Sequence, residues 1–374
     1  MKITFIANAR IPTEKAHGYQ IMKVCEELCH AGSQVRLIVP KRRNAISSDP
    51  FEYYGIKTRF SIERTSSFDA LGLERVLGAR LSFILQKVAF LFALLRIKIG
   101  KDEVIYTRDP EIAWLYARKG YRVVYNAHRF PENRTELFMK LIRRVEKVVC
   151  NSKGTADEFI KRGFPKVLAL RNGVDPEEFS SVTESKPELR RKLFLPQGRL
   201  ALYTGHLYEW KGVDTIIEAA RLLGDVSFVA VGGTKEDVEK YQKLVESRGI
   251  SNLRFIGHKE KAEIPAYLKS ADVLLLPNVP STKESRFYTS PIKMFEYMAS
   301  GNPIVASDLP SLREVLNERN AILVPPGNAA ALAEGISEAL DPMLGRTLGE
   351  AAQKDVLEYS WAAHAKKLLD FIAS

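Results

Sequence analysis

The chemistry-bearing residues concentrate in one stretch, Tyr288-Thr-Ser-Pro-Ile-Lys-Met-Phe-Glu-Tyr-Met-Ala-Ser-Gly-Asn-Pro-Ile-Val-Ala-Ser-Asp308. Ser290 is an N-cap type, Pro291 suits the first helical position, and Gly301 with Pro303 closes the helix. Such a helix start points unpaired amides and a partial positive charge at whatever lies in front of it. The amides after Ser290, around Pro291 and Ile292, therefore read as an anion site. Lys293 adds a full charge in the first turn, where the macrodipole disfavours a cation. A bound anion accounts for that, and so does simple solvation. Glu296, six residues past Ser290, would reach a sugar hydroxyl beside the anion.

A second stretch, Tyr203-Thr-Gly-His-Leu-Tyr-Glu-Trp-Lys-Gly-Val-Asp214, reads as strand, glycine loop and helix. Gly205 lets a ligand approach the backbone, and His206 and Lys211 stand where a diphosphate would dock. An ordinary strand-to-helix turn has the same outline. His128, at a strand end, reads either as a capped structural residue or as a ligand contact. Asp109 is a lone carboxylate at another strand end, and no Asp-x-Asp metal motif is present. Tyr208 and Trp210 either stack on a ligand or pack in the protein. Cys25 and Cys29 share a helical face but have no second ligand pair at zinc spacing, so they read as core. Three scattered cysteines fit a reducing compartment.

The elements that must position these residues follow from pattern and length. A chain of 374 residues, 45% apolar and 27% charged, suits two globular domains and not a disordered one. Short strands alternate with helices throughout, which implies parallel sheets with ligands at the C-terminal strand edges. The first series opens with a strand at Lys2–Ala7 and a helix at Gly18–Ala31. Residues 175–197 read as linker and entry helix, and a second series begins at Leu200. The expected division is residues 1–180 and 181–359, with a last helix over about 360–374 packing back on the first domain. The formal net charge is +11, yet residues 1–180 carry 32 Lys+Arg against 20 Asp+Glu. That asymmetry implies an anionic partner for the first half, such as a membrane surface or lipid phosphate, or else a solubilising surface. The dispersed basic residues and the lack of a recognition motif argue against nucleic acid. The start of the chain lacks a signal-peptide pattern. In the apolar stretch Leu81–Ile99 the longest uncharged run is Val88–Leu95, too short to span a bilayer. It reads as a core helix or as one lying on a membrane.

Several segments together resemble the family 4 glycosyltransferases of GT-B fold. The loop at Gly205–Gly212 is similar to their Gly-Arg-xxx-Lys-Gly loop, and Ser290–Ser307 to their Glu-x7-Glu region. Arg171-Asn-Gly-Val-Asp175 resembles the turn before their interdomain linker. Val231-Gly-Gly233, Phe255-Ile-Gly-His258 and Ala271-Asp-Val-Leu-Leu-Leu-Pro277 follow in the family's order. Ala16-His-Gly-Tyr-Gln20 falls where the family has its glycine-rich loop, and Tyr125-Asn-Ala-His128 where it has its active-site histidine.

The resemblance implies an α/β, GT-B architecture, with two Rossmann-like doubly wound domains facing each other across a cleft. It implies a retaining transferase that takes a nucleotide-sugar donor and a glycan or lipid-linked acceptor, with neither metal nor cofactor. Its setting would be envelope polysaccharide or glycolipid synthesis, on the cytoplasmic side and peripherally on an anionic membrane. Carried over, Glu296 holds the nucleotide ribose, Lys211 clamps the donor diphosphate, and the amides after Ser290 hold the distal phosphate. His128 stands near the transferred sugar, and Gly18 lets the first-domain loop approach donor or acceptor. Two positions depart from the pattern. Tyr288 stands where the first Glu of the pair belongs, which shifts sugar contacts toward Glu284, Arg286 or Thr289. His206 replaces the loop Arg with a weaker, pH-dependent cation. Those departures also motivate the alternatives of an inactive nucleotide- or glycan-binding protein and of a GT-B epimerase.

Overall fold

A computed structural model describes the backbone of residues 1–69 and 74–374 and the side chains of residues 1–69 and 78–374. The chain divides into two compact units, Met1–Arg171 with Trp361–Ser374, and Asn172–Ser360.

The first unit holds a seven-stranded sheet. Its strands are β1 (Lys2–Ile6), β2 (Gln34–Lys41), β3 (Ser61–Ser66), β4 (Val104–Thr107), β5 (Arg122–Ala127), β6 (Lys147–Cys150) and β7 (Val167–Ala169). They run parallel in the order β3-β2-β1-β4-β5-β6-β7. Strands buried on both faces read as continuous apolar runs, which is why β1, β4 and β6 stand out in the sequence. The strand β3 does not. It is an edge strand of sequence Ser-Ile-Glu-Arg-Thr-Ser, half exposed, and its charges suit an edge left unpaired on one side. The last helix, Trp361–Ala373, packs on the helix Ala16–His30, with Trp361 edge-on to Tyr19 at 6.3 Å between ring centres.

The second unit holds six parallel strands, β8 (Leu200–Thr204), β9 (Ser227–Val231), β10 (Leu253–Gly257), β11 (Val273–Leu276), β12 (Ile304–Ser307) and β13 (Ile322–Val324). Their order is β10-β9-β8-β11-β12-β13. Alternate residues of β8 feed two cores: Leu200 and Leu202 on one side of the sheet, Ala201 and Tyr203 on the other. The two parallel sheets establish the two Rossmann-like α/β domains expected from the sequence.

The apolar stretch after residue 80 belongs to the helix Glu74–Leu94. Its inward positions are Ser82, Gln86, Phe90, Ala93 and Leu94, while Leu81, Ile84, Leu85, Val88 and Phe92 are exposed. The reading as a wholly buried core helix fails for this face, because apolar residues occupy both sides of the helix and only one side meets the sheet. Among the described residues no helix is long and apolar enough to cross a membrane.

Candidate active site

In the second unit the site is built where β8 ends. The helix Ile292–Ser300 is tied to that end by two side chains. Tyr297 Oη accepts from Thr204 N at 2.8 Å, and Lys293 Nζ donates to Thr204 O at 2.7 Å. Lys293 is therefore buried, lying 3.7 Å from the Tyr203 ring centre, and is not the solvated first-turn lysine that the sequence allowed. Burial, with the Lys211 charge, holds its ammonium far below the usual lysine range, Glu296 opposing.

The loop beyond β8 is held by Tyr203, whose hydroxyl donates to His206 O at 2.6 Å. Gly205 takes φ +127, and a Cβ there would lie 3.1 Å from Lys293 Nζ, so a side chain would strain the backbone and crowd the buried cation. His206 stacks on Tyr208 at 4.9 Å. Burial, then Lys211 and Lys293, pushes its pKa down, so it is neutral near pH 7 in the free protein. Lys211 sits 3.6 Å from the Trp210 ring centre. Burial brings its pKa down to about 7, with Glu284 pulling it up. Three basic side chains, Lys211, Lys293 and His206, thus act on one another around a glycine loop, opposed by Glu284, Glu296 and Asp237.

The helix opens one residue later than the sequence suggests. Pro291 is the N-cap and makes no side-chain cap bond. Ser290 does not cap it; its hydroxyl accepts from Asn172 N at 3.3 Å and its carbonyl from Asn172 Nδ2 at 2.5 Å. The cause is a competing donor from the Arg171–Asp175 turn, which no local pattern around Ser290 announces. Ile292 and Lys293 still open the helix with amides that have no carbonyl partner within it. Glu296 is buried and ion-paired with Lys261, a residue the motif reading passed over because it lies in the loop after β10. Tyr288 is buried at the end of the turn Glu284–Tyr288.

In the first unit His128 follows β5. Its Nε2 is buried with no hydrogen-bond partner, and burial, then the charge of Arg108, keeps the ring neutral. Gly18 lies inside the first turn of the helix Ala16–His30. A Cβ there would meet Tyr54 Oη at 2.1 Å and Thr13 Cγ2 at 2.6 Å. The close approach at Gly18 is thus to Tyr54, which also accepts from Thr13 N at 2.6 Å and donates to Thr13 O at 2.8 Å.

The comparisons divide along the same line. Residues 18–178 match the model described as Glycosyltransferase Family 4, and residues 198–342 the one described as Glycosyl transferases group 1. The phosphatidyl-myo-inositol mannosyltransferase of Mycobacterium leprae is 31% identical over 211 residues, 54% of this chain and 52% of its own. The putative teichuronic acid biosynthesis glycosyltransferase TuaH of Bacillus subtilis is 30% identical over 228 residues, 59% of this chain and 54% of its own. The chain thus spans about half the length of the curated relatives it matches. Among solved structures, Anabaena HepE in complex with UDP-glucose superposes with a TM-score of 0.75 at 18% identity, covering 100% of this chain and 99% of that one. Two adjoining domain matches on two parallel-sheet units place the chain in the family 4 class of GT-B glycosyltransferases.

Proposed function

We propose that the protein transfers a sugar, with retention of configuration, from a nucleotide-sugar donor to a glycan or lipid-linked acceptor in the synthesis of an envelope polysaccharide or glycolipid. The observation that carries this reading is the cluster of Lys211, Lys293 and His206 around Gly205, with Lys293 in the first turn of the helix Ile292–Ser300. Departure of a nucleoside diphosphate places negative charge on its distal phosphate. Preorganised cations and amides stabilise that charge as it develops. Double displacement would need two carboxylates flanking the anomeric carbon, and the sequence motifs mark none. The reading therefore takes a front-face route, in which the departing phosphate assists deprotonation of the acceptor hydroxyl. The reading needs neither metal nor cofactor. Lys211 clamps the diphosphate, and Ser290, Pro291 and Ile292 form the turn around it. Glu296 holds the ribose once it exchanges Lys261 for the hydroxyls. In the first unit a neutral His128 offers an unpaired ring nitrogen to a sugar hydroxyl.

The names of the relatives point to envelope chemistry, and HepE was solved with UDP-glucose, which makes uridine the first base to try. The test is turnover on a panel of UDP-, GDP- and ADP-sugars, read as released nucleoside diphosphate. Lys211→Ala and Glu296→Ala should each lower turnover by about a hundredfold in protein that circular dichroism shows to be folded, the Glu296 variant melting lower because its buried ion pair with Lys261 is lost. Unchanged turnover in both variants refutes the site assignment. Failure of every nucleotide sugar to raise the melting temperature refutes the function, since a ligand of the native state must stabilise it.

A further inference from the structure

The strand order of the first unit reverses direction between β1 and β4, and in open parallel sheets ligands lie beyond the strand ends at such a point. Three arginines follow the strands that meet there: Arg10 after β1, Arg42 after β2 and Arg108 after β4. They are knit across the strand ends. Arg42 Nη2 donates to Asn8 Oδ1, Asn8 N donates to Asp109 Oδ2 at 2.9 Å, and Arg108 Nη1 donates to Gln20 Oε1 at 3.0 Å. Arg10 Nη2 stands 3.7 Å from Glu14 Oε1.

Each guanidinium offers five N–H donors, and two of the three are under-supplied with acceptors. The Nε atoms of Arg10 and Arg42 are buried without a hydrogen-bond partner. Burial lowers the pKa of Arg42, and brings that of Arg108 down to about 10. The carboxylates at hand compensate weakly. Asp109 acts on both Arg42 and Arg108, and burial pushes its own pKa up. Asp69 already accepts from Arg43 N at 3.0 Å and from Gln86 Nε2 at 2.9 Å. Half-buried charges with few partners are costly unless a ligand of opposite sign completes them. A planar fork suits an oxyanion with two acceptor oxygens.

We infer that Arg10, Arg42 and Arg108 form a subsite for an anionic group on the acceptor, a phosphate or a carboxylate. This rests on the transfer reading above and adds the chemical class of the acceptor. The sugar ring beside the anion would face His17 and His128. Both are neutral, His17 with its pKa brought down to about 4 by burial and Arg108.

The test is calorimetric binding to the full chain of four probes: glucose, glucose 6-phosphate, glucuronic acid and inorganic phosphate. The two anionic sugars separate phosphate from carboxylate. At least one should bind, weaken as salt rises, and bind about tenfold more tightly than glucose or inorganic phosphate. Arg42→Gln and Arg10→Gln should each weaken it by about tenfold, and Arg42→Lys, which keeps the charge but not the fork, by less. Circular dichroism and melting establish that the variants fold. Equal binding of glucose, binding of inorganic phosphate alone, binding of none, or unchanged affinity in both glutamine variants overturns the subsite. Nucleotide-sugar turnover in the same preparations separates the two readings. Its absence with anionic sugars still bound sinks the transfer reading, and its persistence with no anionic sugar bound sinks the subsite alone.

Discussion

Lys211 is a cation whose proton is loosely held. Its folded pKa of about 7 lies below the ordinary lysine value, so the unfolded chain binds more protons above pH 7, and the free fold gains stability as pH rises through that window. A bound diphosphate reverses the preference by stabilising the ammonium, so binding above pH 7 must take up a proton. Affinity for a nucleotide sugar such as UDP-glucose, whose diphosphate does not titrate in this range, should be flat below pH 7. Above it, affinity should fall by up to about tenfold per unit. Calorimetry across pH reads the slope. Lys211→Arg keeps a charge that does not titrate, and an unchanged slope in that variant would show that another group takes up the proton. At this scale the sequence showed residue types better than partners. Gly205 and Lys211 were legible as residues of a loop that follows a strand, and Ile292 as lying at a helix start. The burial of Lys293 against Thr204, the ion pair of Glu296 with Lys261, and the capture of Ser290 by Asn172 all depend on side chains far away in sequence.

The elements were legible where both faces of a strand are buried, because packing then imposes an unbroken apolar run. The edge strand β3 escaped, since a half-exposed polar strand has no such constraint. The last helix shows how a charged residue serves packing. Lys147 opens β6 and is 1% exposed, and its Nζ donates to Phe371 O at 2.6 Å and Ile372 O at 2.9 Å. It thus satisfies carbonyls at the C-terminus of the helix Trp361–Ala373, where a cation also suits the helix dipole. Lys147→Met fills the volume but takes the lysine donor from Phe371 O, while Ile372 O keeps its bond from Arg122 Nη2 at 3.0 Å, a loss of about 2 kcal/mol. Hydrogen exchange should then speed over residues 361–373 by about thirtyfold or more. Protection unchanged from the parent would mean that the Trp361 and Leu368 contacts hold the helix without the lysine.

The excess of positive charge and the helix face of exposed apolar side chains at Leu81–Phe92 fall on the same half of the chain. Residues 1–180 carry 32 Lys+Arg against 20 Asp+Glu, the remainder being nearly neutral. The same unit presents the outward face of the helix Glu74–Leu94, where Phe83 is 57% and Phe92 64% exposed. Arg80, Arg96 and Lys98 are exposed on and just beyond this helix. An apolar helix face rimmed by cations is the pattern of a helix lying in a membrane interface, and a lipid-linked acceptor would be met there. Sequence alone could not choose between core and membrane for this segment, since its periodicity shows an apolar face without showing which side the sheet covers. The prediction is sedimentation of the protein with anionic phospholipid vesicles, weaker with neutral ones and reduced by salt. Burying the exposed parts of two phenylalanine rings is worth about 2 kcal/mol, so Phe83→Ser with Phe92→Ser should cut partitioning roughly thirtyfold. Because both rings meet water in the free protein, the double variant should melt within a degree or so of the parent. Equal partitioning of parent and variant would assign membrane contact, if any is measured, to another surface. Negligible binding of the parent to anionic and neutral vesicles alike would remove the membrane from the proposal and leave a soluble glycan as the acceptor.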